Sequence, residues 1–184
     1  MVEQLQPVFA KATARNRRYY VCDNFLRSWL AALAAPAASV NFRPLEELVR
    51  EADERLADAE GHGLEKLVGT LYEERSRKGL AGFRLTQRVQ GFWDRGDTEI
   101  DLVALNEEDR IVRLGTCKRT AERIASDFAR FDGHVARFLE RAARVRGWSV
   151  EKVAITTRHS PRSRDATQRV GYLPQDLDDL TAGL

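Results

Sequence analysis

The sequence predicts a mixed α/β (α+β) fold, in which a central sheet is flanked by helices and further helices precede it. Apolar residues recur at helical spacing from Leu64 to Arg77, and short extended runs follow between Phe83 and Cys117. The strongest signal is an amphipathic helix from about Ala121 to Val145, which leads into a buried strand at Val150 to Thr157. Because a strand, a helix and a strand in this order favour a right-handed parallel crossover, we expect a mixed sheet.

Length and charge limit the classes of protein to which the chain can belong. Its 184 residues, of which 43% are hydrophobic, suffice for one core. We expect residues 44–184 to form the folded domain and residues 1–43 to form an N-terminal linker and helix segment. The 30 basic and 28 acidic residues leave a net charge of only +2, so affinity for nucleic acid must depend on where the charge lies.

Cysteine usage and hydropathy predict the cellular compartment. Cys22 and Cys117 are far apart, and no Cys-x-x-Cys or Cys/His ligand spacing occurs, which indicates a reducing compartment and no structural zinc site. No apolar run approaches the roughly 20 residues that span a bilayer. The first residues do not resemble a signal peptide. We therefore expect a cytoplasmic protein without membrane attachment.

The N-terminal half should contain three helices. Asp23 or Asn24 can cap the first helix, and Pro36 should end it. The second helix should begin near Pro44, because proline is tolerated in a first helical turn. Gly61-His62-Gly63 should then break it before the third helix begins.

The later extended runs predict a hairpin and a final crossover. The runs are Phe83 to Phe92, Thr98 to Leu105 and Arg110 to Cys117. The polar residues Asn106-Glu107-Glu108-Asp109 should form the turn between the last two runs. After the crossover, Arg158 to Arg164 should form a basic loop, and Leu173 to Leu180 should add a short strand or a helical turn.

Polar residues interrupt the apolar pattern of the predicted hairpin. Because side chains alternate along a strand, Glu99 and Asp101 should share one face. The alternate residues should point into the core: Ile100, Leu102 and Ala104. Thr116 and Lys118 should share a face of the partner strand, and an in-register hairpin would let Asp101 meet Lys118.

A helix glutamate completes this candidate site. Glu65 lies at the edge of the apolar stripe of the third helix and faces partly inward, where an unbound carboxylate is costly. Carboxylates grouped in this way form the oxygen-rich setting that Mg²⁺ prefers, and an adjacent lysine can orient the attacking water. The alternative is that Glu65 pairs with a basic residue and that Lys118 is an edge-strand lysine that discourages aggregation.

The order of these motifs resembles the PD-(D/E)XK nuclease superfamily. The resemblance rests on Glu65, on Glu-Ile-Asp-Leu-Val-Ala at Glu99 to Ala104, and on Gly-Thr-Cys-Lys at Gly115 to Lys118. More narrowly, Tyr20 to Trp29 is similar to the segment that precedes this fold in the C-terminal domain of archaeal and bacterial DEXX-box ATPases. Together these resemblances extend from about Tyr19 to Leu180 and imply a restriction-endonuclease-like core in residues 44–184.

The resemblance implies a role for each matching residue. Glu65, Asp101 and Lys118 would be the catalytic residues of a Mg²⁺-dependent nuclease, with Mn²⁺ as a substitute for Mg²⁺ and DNA as the partner. The metal ligands would be Glu65, Asp101 and the backbone carbonyl of Cys117, and Glu99 is a further candidate. A homodimer is also compatible with the sequence.

Two departures from the family pattern leave alternatives open. The family has an acid two residues before its lysine, whereas this chain has Thr116, so cleavage with Mg²⁺ and binding without cleavage both stay open. Glu99 or Glu122 could supply the missing charge. No Gly-x-x-x-x-Gly-Lys-Ser/Thr phosphate loop is present, so an ATPase module would have to lie elsewhere. The alternative function is therefore a non-catalytic module that docks on an ATPase partner through the helix that carries Phe25, Leu26 and Trp29.

Arginines provide candidate phosphate contacts. Arg123, Arg130, Arg137 and Arg144 recur every seven residues, which keeps them near one side of a helix. They can instead form a solvated face held in pairs such as Arg123 with Asp127. The predicted nucleic-acid-binding residues are Arg123, Arg130, Arg137, Arg158, Arg162 and Arg164.

Overall fold

A computed structural model describes residues 2–11 and 15–184 and divides them into two compact units. The first unit comprises the described residues of 1–5 and 17–63, and the second comprises those of 6–16 and 64–184. The first unit begins with two antiparallel strands and three short helical segments: β1 (Val2–Leu5), β2 (Arg18–Val21), α1 (Asn24–Ser28), a π-helical turn (Trp29–Leu33) and α2 (Ala34–Ala38).

The first predicted helix begins where the sequence indicated but does not end there. Asp23 caps α1, since its carboxylate accepts the backbone N–H of Leu26 at 2.7 Å. Pro36 does not end the helical segment, which continues to Ala38. A π-helical turn precedes Pro36, and in it the N–H of Ala34 bonds to the carbonyl of Trp29. This wider turn changes the pattern of backbone hydrogen bonds that a proline would otherwise interrupt.

A single helix, α3 (Leu45–Arg77), replaces the second and third predicted helices. The predicted break at Gly61 to Gly63 was wrong, because both glycines lie inside α3 and neither has a positive φ. Glycine lowers helix stability by about 1 kcal/mol relative to alanine, which is too little to end a long helix by itself. The chain leaves α3 at Gly79, whose φ of +64° suits a glycine.

The second unit contains the predicted mixed sheet. Its strands lie in chain order: β3 (Gln90–Trp93), β4 (Glu99–Asn106), β5 (Ile111–Cys117), β6 (Ser149–Thr156) and β7 (Leu173–Asp176). The first three strands are antiparallel and the last three are parallel. The crossover from β5 to β6 contains α4 (Ala121–Arg141), so both the hairpin and the parallel crossover are confirmed.

The C-terminal part is more regular than predicted. Helix α4 ends at Arg141, and a separate 3₁₀ turn at Ala143–Val145 carries Arg144. The predicted basic loop contains most of the first turn of α5 (Pro161–Arg169), because Ser160 caps this helix through the N–H of Ser163. The last segment forms both a strand, β7, and a helix, α6 (Leu177–Thr181).

The sheet is buried on both faces, and the long helices cover different faces. Helix α4 covers one face with Ile124, Phe131, Val135 and Phe138, and α3 covers the other with Leu64, Val68 and Tyr72. Among residues 2–11 and 15–184, we find no helix that combines the length and the apolar character needed to cross a membrane.

Candidate active site

An irregularity in β4 sets the direction of Asp101. Gln90 pairs with Val103 and Phe92 pairs with Ile100, so three steps along β4 match two steps along β3. Ile100 consequently packs on the α4 face with Val103, whereas Leu102 packs on the α3 face. The prediction that Ile100, Leu102 and Ala104 share a face was therefore wrong. An extra residue of this kind bends a strand and re-aims side chains.

Asp101 is anchored to the end of β5. Its Oδ2 accepts a hydrogen bond from the backbone N–H of Cys117 at 2.8 Å and another from the hydroxyl of Thr116 at 3.2 Å. Thr116 is buried. Thr116, which stands where the PD-(D/E)XK resemblance led us to expect an acid, therefore donates a hydrogen bond to Asp101 instead of adding a second charge.

Two acids and a lysine act on one another here. Burial raises the pKa of Asp101 to about 7, and the negative charge of Glu65 adds to this increase. The N–H of Cys117 and the charge of Lys118 act in the opposite direction, while Glu99 raises the pKa further. The fold thus brings Glu65, Asp101 and Lys118 together, as the motif order predicted. Their catalytic roles stay a prediction.

Cys117 contributes its backbone and not its thiol. Burial raises the pKa of the thiol well above its ordinary value, and the charges of Asp101 and Glu65 act in the same direction. Since the thiolate is the reactive form, this side chain is unreactive near neutral pH.

Asp127 is a site residue that the sequence analysis missed. The Nζ of Lys118 lies 3.7 Å from Oδ2 of Asp127 on α4. Helical spacing suggested that Asp127 pairs with Arg123, but Asp127 lies near Lys118 and near Arg130, whose Nη1 is 3.8 Å from Oδ1 of Asp127. Only the packing of α4 on the sheet brings Asp127 to the lysine, so no local sequence motif indicates this contact. Glu122 is exposed in the first turn of α4.

His134 holds the beginning of β4. It is buried, and its Nδ1 lies 2.8 Å from the backbone N and 2.7 Å from the backbone O of Glu99. Next to it, Arg137 donates from Nε to the hydroxyl of Thr98 at 3.0 Å. These contacts fix the strand two residues before Asp101. No motif in the sequence indicates this role of His134.

The predicted phosphate-contacting arginines divide into exposed and engaged groups. Arg123, Arg158 and Arg162 are exposed, and Arg130 is exposed beside Asp127. Arg137 is partly buried. Arg164 binds two carboxylates, with Nη2 2.6 Å from Asp176 and 2.7 Å from Asp179. The structure therefore does not bring these six arginines together on one exposed surface.

The acids of the site fit a metal ion such as Mg²⁺ that also binds water or substrate oxygens. In the described ranges 2–11 and 15–184, no three or more His, Cys, Asp or Glu side chains are grouped to hold a metal ion. Two acids do approach each other, Glu65 and Asp101, since burial and then the charge of Glu65 raise the pKa of Asp101. Mg²⁺ is often held by one or two carboxylates, together with water and substrate phosphates. The residues thus fit Mg²⁺ in this manner but do not form a complete protein cage.

Comparison with known proteins identifies the family of the chain. Residues 29–140 match the model of a family described as archaeal and bacterial proteins of unknown function (DUF234). The chain belongs to this family. The matched range includes Glu65, Asp101, Lys118 and Asp127.

One relative of this chain is a much longer protein. The uncharacterized protein MJECL04 of Methanocaldococcus jannaschii is 27% identical over 112 residues, which are 59% of this chain and 24% of the relative. The match thus covers about a quarter of that relative's length. No solved structure matches the chain.

Proposed function

We propose that the chain is a nuclease-fold, nucleic-acid-associated protein that hydrolyses DNA slowly with Mg²⁺. The observation that supports this most is the position of Asp101, which is partly buried, is influenced by the charges of Glu65 and Lys118, and has a pKa of about 7. Two carboxylates that repel each other lower the stability of the fold, so such a pair beside an amine is unfavourable in a purely structural site. The same arrangement suits a metal-dependent hydrolase.

Each residue has a distinct role in this proposal. Glu65, Asp101 and the carbonyl of Cys117 would hold Mg²⁺, which would supply polarisation of a phosphate and a lower pKa for an attacking water. The amine of Lys118 stabilises the negative charge that develops on the phosphate. Asp127 holds this amine in place from α4.

Thr116 explains why the proposed activity is slow. Its hydroxyl bonds to Asp101 but adds no negative charge, so the site has one carboxylate fewer than the PD-(D/E)XK pattern that the sequence resembles. We expect weaker metal binding as a result, because carboxylates supply most of the electrostatic attraction for Mg²⁺.

A cleavage assay tests this function. Supercoiled plasmid is incubated with Mg²⁺ or Mn²⁺ and the wild-type chain, Asp101→Asn, Lys118→Met or the control Asp165→Asn, whose side chain is exposed on α5. We expect nicking by the wild type and the control only. Equal nicking by wild type and Asp101→Asn would contradict the assignment. DNA binding without nicking in any variant would remove hydrolysis and leave the binding function.

A second candidate function is docking on a DEXX-box ATPase through the first unit. Phe25 is 76% exposed, Leu26 is 42% exposed and Trp29 is 40% exposed. The rings of Phe25 and Trp29 stack on each other with their centroids 6.5 Å apart. Exposed aromatic clusters of this kind are typical of protein interfaces, whereas core packing would have buried them.

Binding to a purified DEXX-box ATPase from the same source tests the second function. We expect Trp29→Ser to weaken the complex more than Val170→Ser, a matched change at an exposed apolar residue of the second unit. Equal affinities of both variants would remove the docking function without affecting the nuclease proposal.

A further inference from the structure

A cavity of about 280 Å³ lies in the second unit, and its lining does not include Glu65 or Asp101. Its walls come from the end of α3, the segment that follows it, and the strands and helices near the C-terminus. The residues that matter for its chemistry are Tyr72, Arg75, Phe83, Arg113, Arg164 and Gln175.

Arginines dominate the lining of the cavity, and two of them, Arg113 and Arg164, also bind carboxylates. Three arginines line it, and Asp179 is the acid among the lining residues. Arg113 is buried under the cavity wall, where its Nε lies 2.8 Å from the carboxylate of Glu151 and its guanidinium lies 4.5 Å from the centre of the Phe83 ring. A buried arginine held on both sides in this way is a rigid, preorganised cation.

The other two arginines are also fixed in place. Arg75 donates to the backbone carbonyls of Ala81, Leu180 and Ala182, which ties the opposite walls together. Arg164 uses one terminal nitrogen, Nη2, for both of its carboxylate contacts. Because a guanidinium carries five N–H groups, Arg164 can keep these contacts and still donate to a ligand.

Neutral polar groups complete the lining. The hydroxyl of Tyr72 donates to the side-chain carbonyl of Gln175 and accepts from Nη1 of Arg113 at 3.4 Å. Burial raises the pKa of Tyr72, so the hydroxyl stays neutral and adds no negative charge to the cavity. The side-chain amide of Gln175 supplies N–H donors.

From these contacts we infer that the cavity is a binding site for a small phosphorylated molecule, a phosphate group either free or carried on a nucleoside. Arginine forks match phosphate oxygens in geometry and charge. The volume exceeds that of a phosphate alone and lies near the lower limit of ligand pockets, which span about 300–1,000 Å³. This inference does not depend on the proposed nuclease activity.

Titrations of the whole chain with inorganic phosphate, a nucleoside 5′-monophosphate and the unphosphorylated nucleoside test the inference. Binding is followed through the backbone amide NMR signals of Gly82, Phe83 and Leu180 at millimolar ligand concentrations. We expect both phosphorylated ligands to shift these signals and the nucleoside to leave them unchanged. Saturation by phosphate alone indicates that the free ion is sufficient, and tighter binding of the monophosphate indicates that the nucleoside adds contacts.

Two variants locate the site. Arg164→Gln should weaken binding about tenfold or more, while Arg169→Gln, an exposed change on the same helix, should leave it unchanged. Ala81→Phe keeps all three arginines but fills the cavity from an exposed lining position, so it should block the monophosphate even if Arg164→Gln does not fold. Unshifted signals with both phosphates, equal binding of the nucleoside, or wild-type affinity in Ala81→Phe would each overturn the inference.

Discussion

Asp101 is a carboxyl group whose charged form the fold disfavours. Its pKa is about 7 in the folded chain against an ordinary value of 3.8. Between these values the folded state keeps a proton that the unfolded state has released, so the free energy of unfolding falls as the pH rises. Above the folded pKa this loss is complete, on the order of 4 kcal/mol.

Replacing this carboxyl by an amide should remove the pH dependence. We expect Asp101→Asn to stabilise the metal-free chain relative to wild type at about pH 8 but little at about pH 4. Chemical denaturation at both pH values in chelator-containing buffer measures the difference, with Asp165→Asn as the control. A pH-independent difference between Asp101→Asn and wild type would show that the pKa of Asp101 is not raised.

Thr116 offers a direct test of the missing acid. Thr116→Asp places a third carboxyl group beside Asp101 and Glu65 in a buried position. Without metal it should lower the free energy of unfolding by about 1–3 kcal/mol, since like charges are forced together. With Mg²⁺ the variant should gain more in Tm than the wild type and nick plasmid faster.

The control for this change is Thr116→Asn, which has a similar size and no charge. If Mg²⁺ stabilises the aspartate and asparagine variants equally, position 116 does not face the metal. A larger gain in the aspartate variant alone supports the metal site even where nicking is unchanged.

The sequence indicated the site residues that belong to local motifs, but not those that α4 contributes. Glu65, Asp101 and Lys118 belong to short motifs on a helix and a hairpin, and the charges of Glu65 and Lys118 do act on Asp101. Asp127 and His134 approach the site from α4, through contacts made by a helix that packs across the sheet. Such contacts depend on tertiary packing, which local spacing does not encode.

At the scale of elements, helix α3 shows where pattern rules fail. Two glycines close together indicated a break in the helix. However, Leu64 and Val68 after them pack in the core, and this tertiary packing outweighs the low helix propensity of the glycines. The irregularity in β4 was likewise invisible, because the alternation of its side chains shifts by one residue within the strand. The strands, the hairpin and the long crossover helix were predictable because their periodic patterns are long.

A pair of glycine substitutions distinguishes the two descriptions of α3. Gly61 is helical and a Cβ there meets no atom within 4 Å, so Gly61→Ala should raise the free energy of unfolding by about 0.5–1 kcal/mol. Gly79 has a φ of +64°, so Gly79→Ala should lower it by about 1–2 kcal/mol. Thermal denaturation monitored by circular dichroism measures both. A destabilising Gly61→Ala would indicate that the helix breaks as the sequence had suggested.

At the scale of the whole second unit, the parallel strands place functional groups at one edge of the sheet. Lys118 directly follows β5, and Arg158 lies two residues after the end of β6. Because β5 and β6 are parallel, their ends lie at the same edge of the sheet, and so do these two residues. The hydroxyls of Thr156 and Thr157 each donate to the carbonyl of Arg119 at 2.9 Å, which ties these two strand ends together. Helix α4 begins three residues after Lys118, so Arg123 lies in its first turns near the same edge.

Because the net charge is only +2, the proposed DNA binding should depend on where basic residues lie, and Arg123 and Arg158 are the proposed phosphate contacts at this edge. The double variant Arg123→Gln/Arg158→Gln should weaken DNA binding and lower the slope of log K against log salt concentration by about 2, since each phosphate contact contributes about 0.9. Fluorescence anisotropy at several salt concentrations measures this slope. The matched control is Arg144→Gln/Arg169→Gln, which removes the same charge from a turn paired with Glu107 and from the end of α5. If the control lowers the slope equally, overall charge and not position determines binding, and the proposed DNA contact at this edge is wrong.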